Sequence, residues 1–435
     1  MNIRFYNARI LTMEENREVF KGEVRIQGER ISYVAEEHKA EQDRNEGRLT
    51  DNLSWDREID CKGNLLMPGF KNAHTHSGMT FLRSMADDLP LQEWLNQKVF
   101  PLEAKLTKED IFQLTRLAVL EYLTSGITSI FDMYLEPEST AQACMEMGMR
   151  CVLAGSVNDF TSSAERMAAE YEKWNAEGSL ISYQLGFHAE YTCSKELLTE
   201  IAKLAHRYKA PVYTHLAETF HEVHACQKKY GTTPAVFLDS LGMFDYGGGG
   251  YHCVRMGKED WEVFSRNKMY VITNPGSNTK LASGIAPISA YLERKIPVAI
   301  GTDGPASNNC LDMFREMFLV TGLSKLRERD AASMDAGEVL KMATVNGAKA
   351  MRLYDCDVLA EGKKADLIMI DMHQPNMQPI HNIPKNLVYS GSKSNVCMTM
   401  VNGRILYQNG EFYVGDDPEN IYAECNKIVK RVLSQ

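Results

Sequence analysis

None of the ten cysteines forms a Cys-x-x-Cys pair, which excludes a dithiol redox centre or a ribbon-type zinc site. Several lie inside apolar runs such as Cys151-Val152-Leu153. In a chain of 435 residues this reads as buried thiols in a reducing cytoplasm, not as a disulfide framework. Residues 1–10 lack the basic start and apolar core of a secretory signal, and no stretch is apolar over the length a bilayer requires. A cytoplasmic protein is the expectation. There is no Gly-x-Ser-x-Gly elbow and no phosphate-binding loop. The glycine run 247–250 precedes a strand-like segment rather than a helix, so it reads as a flexible approach to His252. Clusters of Lys and Arg are also missing, and the net charge is −10. Nucleic-acid and membrane partners are therefore not expected, and a small neutral or cationic substrate fits better.

What is present changes character along the chain. Residues 1–68 carry short β-rich runs such as Glu23-Val24-Arg25-Ile26-Gln27, expected as small antiparallel strands. Residues 38–59 are polar and are expected to loop out. From 69 to 354, short apolar runs alternate with amphipathic helical stretches. Strands are expected near 70–73, 129–132, 150–156, 182–187, 212–215, 250–253, 270–273 and 298–301. Eight such units predict a (β/α)8 TIM barrel. Strands return after 355, with Asn402-Gly403 as a hairpin turn and a helix near 418–433. The expectation is an α/β protein with a barrel over 69–354 and a small discontinuous β-sandwich domain built from 1–68 and 355–435.

His74 and His76 stand two apart at the end of the first expected barrel strand. Residues i and i+2 of a strand face the same way, so both imidazoles would point into the barrel mouth, where barrel enzymes hold their sites. A His-x-His pair alone is a weak signal. Its weight comes from His215, His252 and Asp303, which end the fifth, sixth and eighth expected strands. One such residue would read as a satisfied core histidine; four strand ends together read as a metal site. Glu218 follows His215 by three residues. Alone it reads as a solvated loop glutamate; in a shielded pocket its pKa would rise and suit proton transfer.

These residues and their surroundings resemble the amidohydrolase superfamily, and within it the S-adenosylhomocysteine and methylthioadenosine deaminases. The matching stretches run from Pro68 to His76, Leu91 to Leu95, Pro101 to Thr107, His188 to Ser194, His215 to Thr219, Asn274 to Asn278 and Gly301 to Asn309. The resemblance implies one divalent metal ion, zinc or else iron, held by His74, His76, His215 and Asp303. It implies catalytic roles for Glu218, His252 and Asp303, and substrate contacts from Glu93, His188 and Ser307. Two-metal branches of the superfamily carry a lysine on the fourth strand; here that strand has none and ends in His188, so a single metal is implied. Homocysteine-recognising relatives place an arginine where this chain has Gly155, with no evident substitute to pair a carboxylate.

The implied activity is a metal-dependent aminohydrolase, a hydrolase of carbon–nitrogen bonds in cyclic amidines. It would release ammonia from adenosine, 5′-deoxyadenosine or methylthioadenosine. Two alternatives stand beside it. One is a deaminase or chloro/amine hydrolase of a free heterocycle such as guanine, a pterin, cytosine or a triazine. The other is a non-catalytic relative that keeps the barrel for assembly. A homo-oligomer is left open.

Overall fold

The protein was examined as a computed structural model that describes residues 1–46, 54–85, 87–175 and 180–434. Its centre is a run of eight parallel strands, each hydrogen-bonded to the next in chain order. They are Phe70–Thr75, Ile127–Asp132, Arg150–Ala154, Ile181–Ala189, Val212–Leu216, Gly248–His252, Tyr270–Thr273 and Val298–Ile300. These segments are nearly all buried and mostly apolar, as a parallel sheet with helices on its outside requires, though the first carries buried Lys71 and Asn72. The last strand meets the first without a regular ladder. The join is made by the Asp303 amide donating to the His74 carbonyl at 3.0 Å and by Asn72, whose side chain bonds both the amide and the hydroxyl of Thr302. The barrel is closed at its mouth by the segments that carry two candidate metal ligands.

The helices start where local chemistry says they should. Thr107 accepts from the Asp110 amide while Asp110 returns the bond, which starts helix Lys108–Thr124. Ser194 caps Lys195–Tyr208 and Thr219 caps Phe220–Tyr230. Among the described residues, no helix is long and apolar enough to cross a membrane.

Strands from both ends of the chain form one separate nine-stranded mixed sheet. Asn2–Ile10, Phe20–Gln27 and Arg30–Glu36 form an antiparallel meander. Leu65–Pro68 pairs antiparallel with Leu367–Ile370, which joins the two ends. Ile3, Phe5 and Val24 share a core with Leu367, Met398 and Met400. The Asn402-Gly403 turn has φ of 50° and 74°, the left-handed pair that a tight hairpin needs.

Three details differ from expectation. Leu65–Pro68 and Arg57–Asp60 both run parallel to Asn2–Ile10, not antiparallel. The polar segment 38–59 is not a plain loop: Glu37–Asn45 is helical and Arg57–Asp60 is a strand, while 47–53 lie outside the described residues. That helix is held by contact with the sheet, where the Tyr33 hydroxyl donates to Asp43 at 2.8 Å, rather than by an apolar stripe. The terminal helix Pro418–Ser434 packs on barrel helix Lys108–Thr124 rather than on the outer sheet. Its buried residues Ile421, Cys425, Ile428 and Val432 recur at helical spacing, and Arg431 pairs with Asp110.

The floor of the barrel is locked to the outer sheet by one buried ion pair. Arg150, at the start of the third strand, donates to both carboxylate oxygens of Asp366 at 2.6 and 2.9 Å. Asp366 also accepts from the Asn402 amide at 2.7 Å.

Candidate metal centre and cavity

The strand ends bring six side chains together. His74 lies in the first strand and His76 just beyond it; His215 lies in the fifth; His252 ends the sixth; Asp303 follows the eighth; Glu218 follows the fifth. Asp303 Oδ1 is 3.1 Å from His76 Nε2 and 3.6 Å from His74 Nε2. His252 Nε2 is 3.8 Å from Glu218 Oε2 and 3.9 Å from Asp303 Oδ2. Two triplets, His74 with His76 and Asp303, and His74 with His215 and His252, each hold their ligand atoms within 4.8 Å of one another. Several of the strand exits adopt left-handed backbone that non-glycine residues rarely take: φ is 49° at Ala217, 68° at His252 and 59° at Asp303. Such strain persists where surrounding bonds over-determine it, commonly at functional sites.

Three of the four rings are oriented by a bond at Nδ1. The His76 Nδ1–H donates to the Met133 carbonyl at 2.5 Å, that of His215 to the His188 carbonyl at 2.6 Å, and that of His252 to Asn278 Oδ1 at 2.8 Å. These carbonyl acceptors place a proton on Nδ1 and turn Nε2 towards the centre; until an ion takes its place, His76 Nε2 carries a proton as well and meets Asp303, and against the effect of burial its pKa rises to about 9. His74 is different. It is fully buried, its ring stacks on Tyr251 at 3.7 Å, and neither nitrogen has a hydrogen-bond partner. A buried nitrogen left unpaired is costly, and a cation among converging Nε2 and carboxylate atoms would satisfy it. The donor set, imidazoles and one carboxylate, suits zinc or iron.

The charges agree. Burial pushes the Asp303 carboxyl up, but the bond from His76 and the charges of His76, His252 and His74 outweigh it and hold the group well below the usual carboxylate range. It is therefore ionised. Burial pushes the Glu218 carboxyl up, with Asp303 adding to that and His252 opposing it. The Ser283 hydroxyl donates to its Oε1 at 3.1 Å. Behind it, Glu222 accepts from the amides of Ala217 and Glu218 at 2.7 and 2.8 Å, and burial beside Glu218 pushes its carboxyl up to about 7. His188 is pushed down to about 4 by burial and the nearby His76, so it is neutral at physiological pH.

A cavity of about 470 Å³ opens onto these atoms. His188 and Ser307 line it, but both hydrogen-bond within the protein: His188 Nδ1 meets Thr192 Oγ1 at 3.1 Å, and the Ser307 hydroxyl donates to Asp303 Oδ2 at 2.9 Å. Ser307 thus steadies the candidate ligand. Glu93 is not brought to the site: it is exposed and outside the lining. The carboxylate that does reach the cavity from this segment is Glu103, which sequence reasoning missed. It is buried, its Oε1 has no hydrogen-bond partner, and burial pushes it up to about 7. The signal was available, because Leu95, Val99 and Glu103 recur every four residues and share a helical face, while Glu93 is two residues out of phase. The Tyr134 hydroxyl lies beside Glu103 and opposes the rise of its pKa, and the Trp94 indole N–H is buried without a partner along the same lining. Gly155 sits where no side chain fits: a Cβ there would lie 2.5 Å from the Gly186 carbonyl oxygen. No lysine or arginine lines the cavity among the described residues.

Comparison with known proteins agrees with this architecture. A 5-methylthioadenosine/S-adenosylhomocysteine deaminase from Caldanaerobacter subterraneus subsp. tengcongensis is 38% identical, aligned over 100% of this chain and 99% of its own. An adenosine deaminase from Xanthomonas campestris, solved with bound zinc, superposes with a TM-score of 0.92 at 29% identity, covering 100% of this chain and 98% of that one. A zinc-complexed atrazine chlorohydrolase from Arthrobacter aurescens shares the fold, with a TM-score of 0.88 at 22% identity over 98% of this chain and all of its own. The profile of the Amidohydrolase family matches residues 65–406, and the chain belongs to that family.

Proposed function

We propose that the protein is a metal-dependent deaminase of uncharged adenine-type nucleosides such as adenosine, 5′-deoxyadenosine or methylthioadenosine. The observation that carries this is His74, with two unpartnered buried nitrogens among converging imidazoles and Asp303. His74, His76, His215 and Asp303 would hold one ion, zinc by preference. When bound, such an ion activates water by lowering its pKa towards about 7. The relatives bear deaminase names, in keeping with this reading.

The chain's own groups supply the proton transfers. Asp303, ionised, accepts a proton from the attacking water. His252, with Nδ1–H held by Asn278, offers its Nε2 lone pair to orient that water. Glu218, its pKa raised by burial, donates a proton to the ring nitrogen beside the amine-bearing carbon. Water adds to that carbon, giving a tetrahedral centre. Return of a proton through Asp303 or Glu218 to the amine lets ammonia leave. Acid–base help of this kind is worth about 10²–10⁴-fold.

Glu103 favours a nucleoside over a free base. Its Oε1, with the Tyr134 hydroxyl beside it, can pair with a ribose hydroxyl. With no cation in the lining and no room for one at Gly155, a carboxylate or phosphate on the substrate would be desolvated without a partner. This argues against S-adenosylhomocysteine. All ten cysteines are free thiols, which suits the cytoplasmic assignment.

The test is ammonia release across adenine nucleosides, S-adenosylhomocysteine, guanine, pterins, cytosine and triazines, with metal content measured on the same preparation. The expected result is about one bound ion and turnover of uncharged adenine nucleosides. Turnover of a free heterocycle alone would replace this reading with its closest rival. Absence of both metal and turnover would leave a non-catalytic barrel.

A further inference from the structure

We propose that Tyr122 is a positioning residue for the candidate metal ligands, acting through a one-way chain of hydroxyls that ends on Asp303. Tyr122 lies on helix Lys108–Thr124, is fully buried and does not line the cavity. Its hydroxyl is 2.7 Å from Thr75 Oγ1 and 3.0 Å from Ser77 Oγ, the two residues that flank His76. Thr75 Oγ1 is also 3.1 Å from the Asp303 carbonyl oxygen.

The direction of the chain follows from counting protons. Each hydroxyl has one hydrogen to donate. A carbonyl can only accept, so the Thr75 hydrogen goes to Asp303. Thr75 Oγ1 then accepts from Tyr122. The Ser77 hydroxyl meets both the Tyr122 oxygen and the Asp132 carboxylate, so its one hydrogen is shared between them. The hydrogens of Tyr122 and Thr75 both point towards Asp303. Chains of this kind strengthen each member. Ser77 is further anchored by its amide, which donates to Asp132 Oδ2 at 2.8 Å. One phenol thus brackets His76 from both sides and ties it to Asp303, a residue held at a positive φ.

Removing the phenolic oxygen takes one of two partners from each of the Thr75 and Ser77 hydroxyls and frees the His76 and Asp303 backbones to relax. Partners behind metal ligands typically contribute about 10–100-fold to metal affinity. The inference rests on the metal-site reading above. The test compares wild type, Tyr122→Phe and Tyr33→Phe. Tyr33→Phe is a control that deletes a hydroxyl bond to Asp43 in the outer sheet. The readouts are the zinc dissociation constant by chelator competition, the visible spectrum of the cobalt-loaded protein, and thermal stability. The expected result is at least about tenfold weaker zinc binding and an altered cobalt spectrum for Tyr122→Phe alone. A Tyr122→Phe protein that is merely less stable, with wild-type zinc affinity and spectrum, overturns the inference and leaves the metal site standing. A wild type that binds no zinc overturns both. If Tyr122→Phe does not fold, Ser77→Ala removes the other hydroxyl that Tyr122 meets. A severalfold loss of zinc affinity in that variant supports the inference, and unchanged affinity overturns it.

Discussion

At the scale of single residues, Glu218 separates chemistry from metal binding. Its carboxyl is buried, raised by that burial, and outside the set of atoms that converge on His74. Glu218→Gln keeps the shape and the Ser283 contact but has no proton to give. It is expected to retain metal by elemental analysis and to lose about 10²–10⁴-fold in kcat. Near-normal turnover would remove Glu218 from the mechanism. Gly155 gives a second prediction. Installing an arginine there to pair a substrate carboxylate is not expected to create activity on S-adenosylhomocysteine, because its Cβ would collide with the Gly186 carbonyl. Gly155→Arg is expected to fall in Tm and to show no such activity; a stable variant that gains it would show that the third and fourth strands can part. The same scale shows what the sequence disclosed. His74, His76, His215, His252 and Asp303 were legible as a cluster because each stands at the end of an expected barrel strand, and the fold gathers those ends at one mouth. Glu103 was not legible in the same way. It stands in an interrupted helix with a wider turn at Leu95–Val99, where the four-residue spacing with Leu95 and Val99 is a weaker sign than the end of a strand.

At the scale of elements, the join between barrel and outer sheet depends on Arg150 and Asp366. Burial would raise the Asp366 carboxyl, but the charge and paired bonds of Arg150 prevail and hold it below its ordinary value. A depressed carboxylate contributes stability that is complete above its unfolded pKa, near about 3.9, and is lost as pH falls through the lower folded value. Asp366→Asn leaves Arg150 buried without a counter-charge and is expected to cost about 3–5 kcal/mol at neutral pH. The gap between wild type and variant should shrink as pH drops below about 4, measured by urea midpoints across a pH series. A gap that stays constant would mean the pair acts by shape alone. Elements were legible where one force dominated. Most barrel strands are short apolar runs set between amphipathic helical stretches. Helix Glu37–Asn45 was hidden because its place is set by a distant contact, Tyr33 to Asp43; the terminal helix was legible, but an apolar stripe does not name the surface it will cover.

At the scale of the whole molecule, the candidate ligands come from the first, fifth and eighth strands, so an ion there would tie together segments more than two hundred residues apart. Anything that binds only the folded chain stabilises it by mass action, by about 2.7 kcal/mol when the ligand stands at a hundred times its Kd. Exhaustive chelation is therefore expected to lower the Tm by several degrees, and zinc to restore it. A Tm indifferent to chelator and zinc would argue that no ion bridges these strands. The two-part architecture was legible because β-rich character appears at both ends and nowhere between, but the order of strands in the outer sheet was not, since register between distant segments leaves no local mark.

The strand Leu65–Pro68 has its antiparallel neighbour in Leu367–Ile370. On a ribosome adding about 5–20 residues per second, roughly three hundred residues must emerge before that neighbour exists, a wait of some 15–60 seconds. Through that interval the apolar edge Leu65-Leu66-Met67 has no mate on one side, and the barrel can assemble beside an unfinished sheet. A nascent chain released early would carry a folded catalytic half and an open, adhesive strand edge, which makes truncation near residue 360 a route to aggregation rather than to a smaller working enzyme.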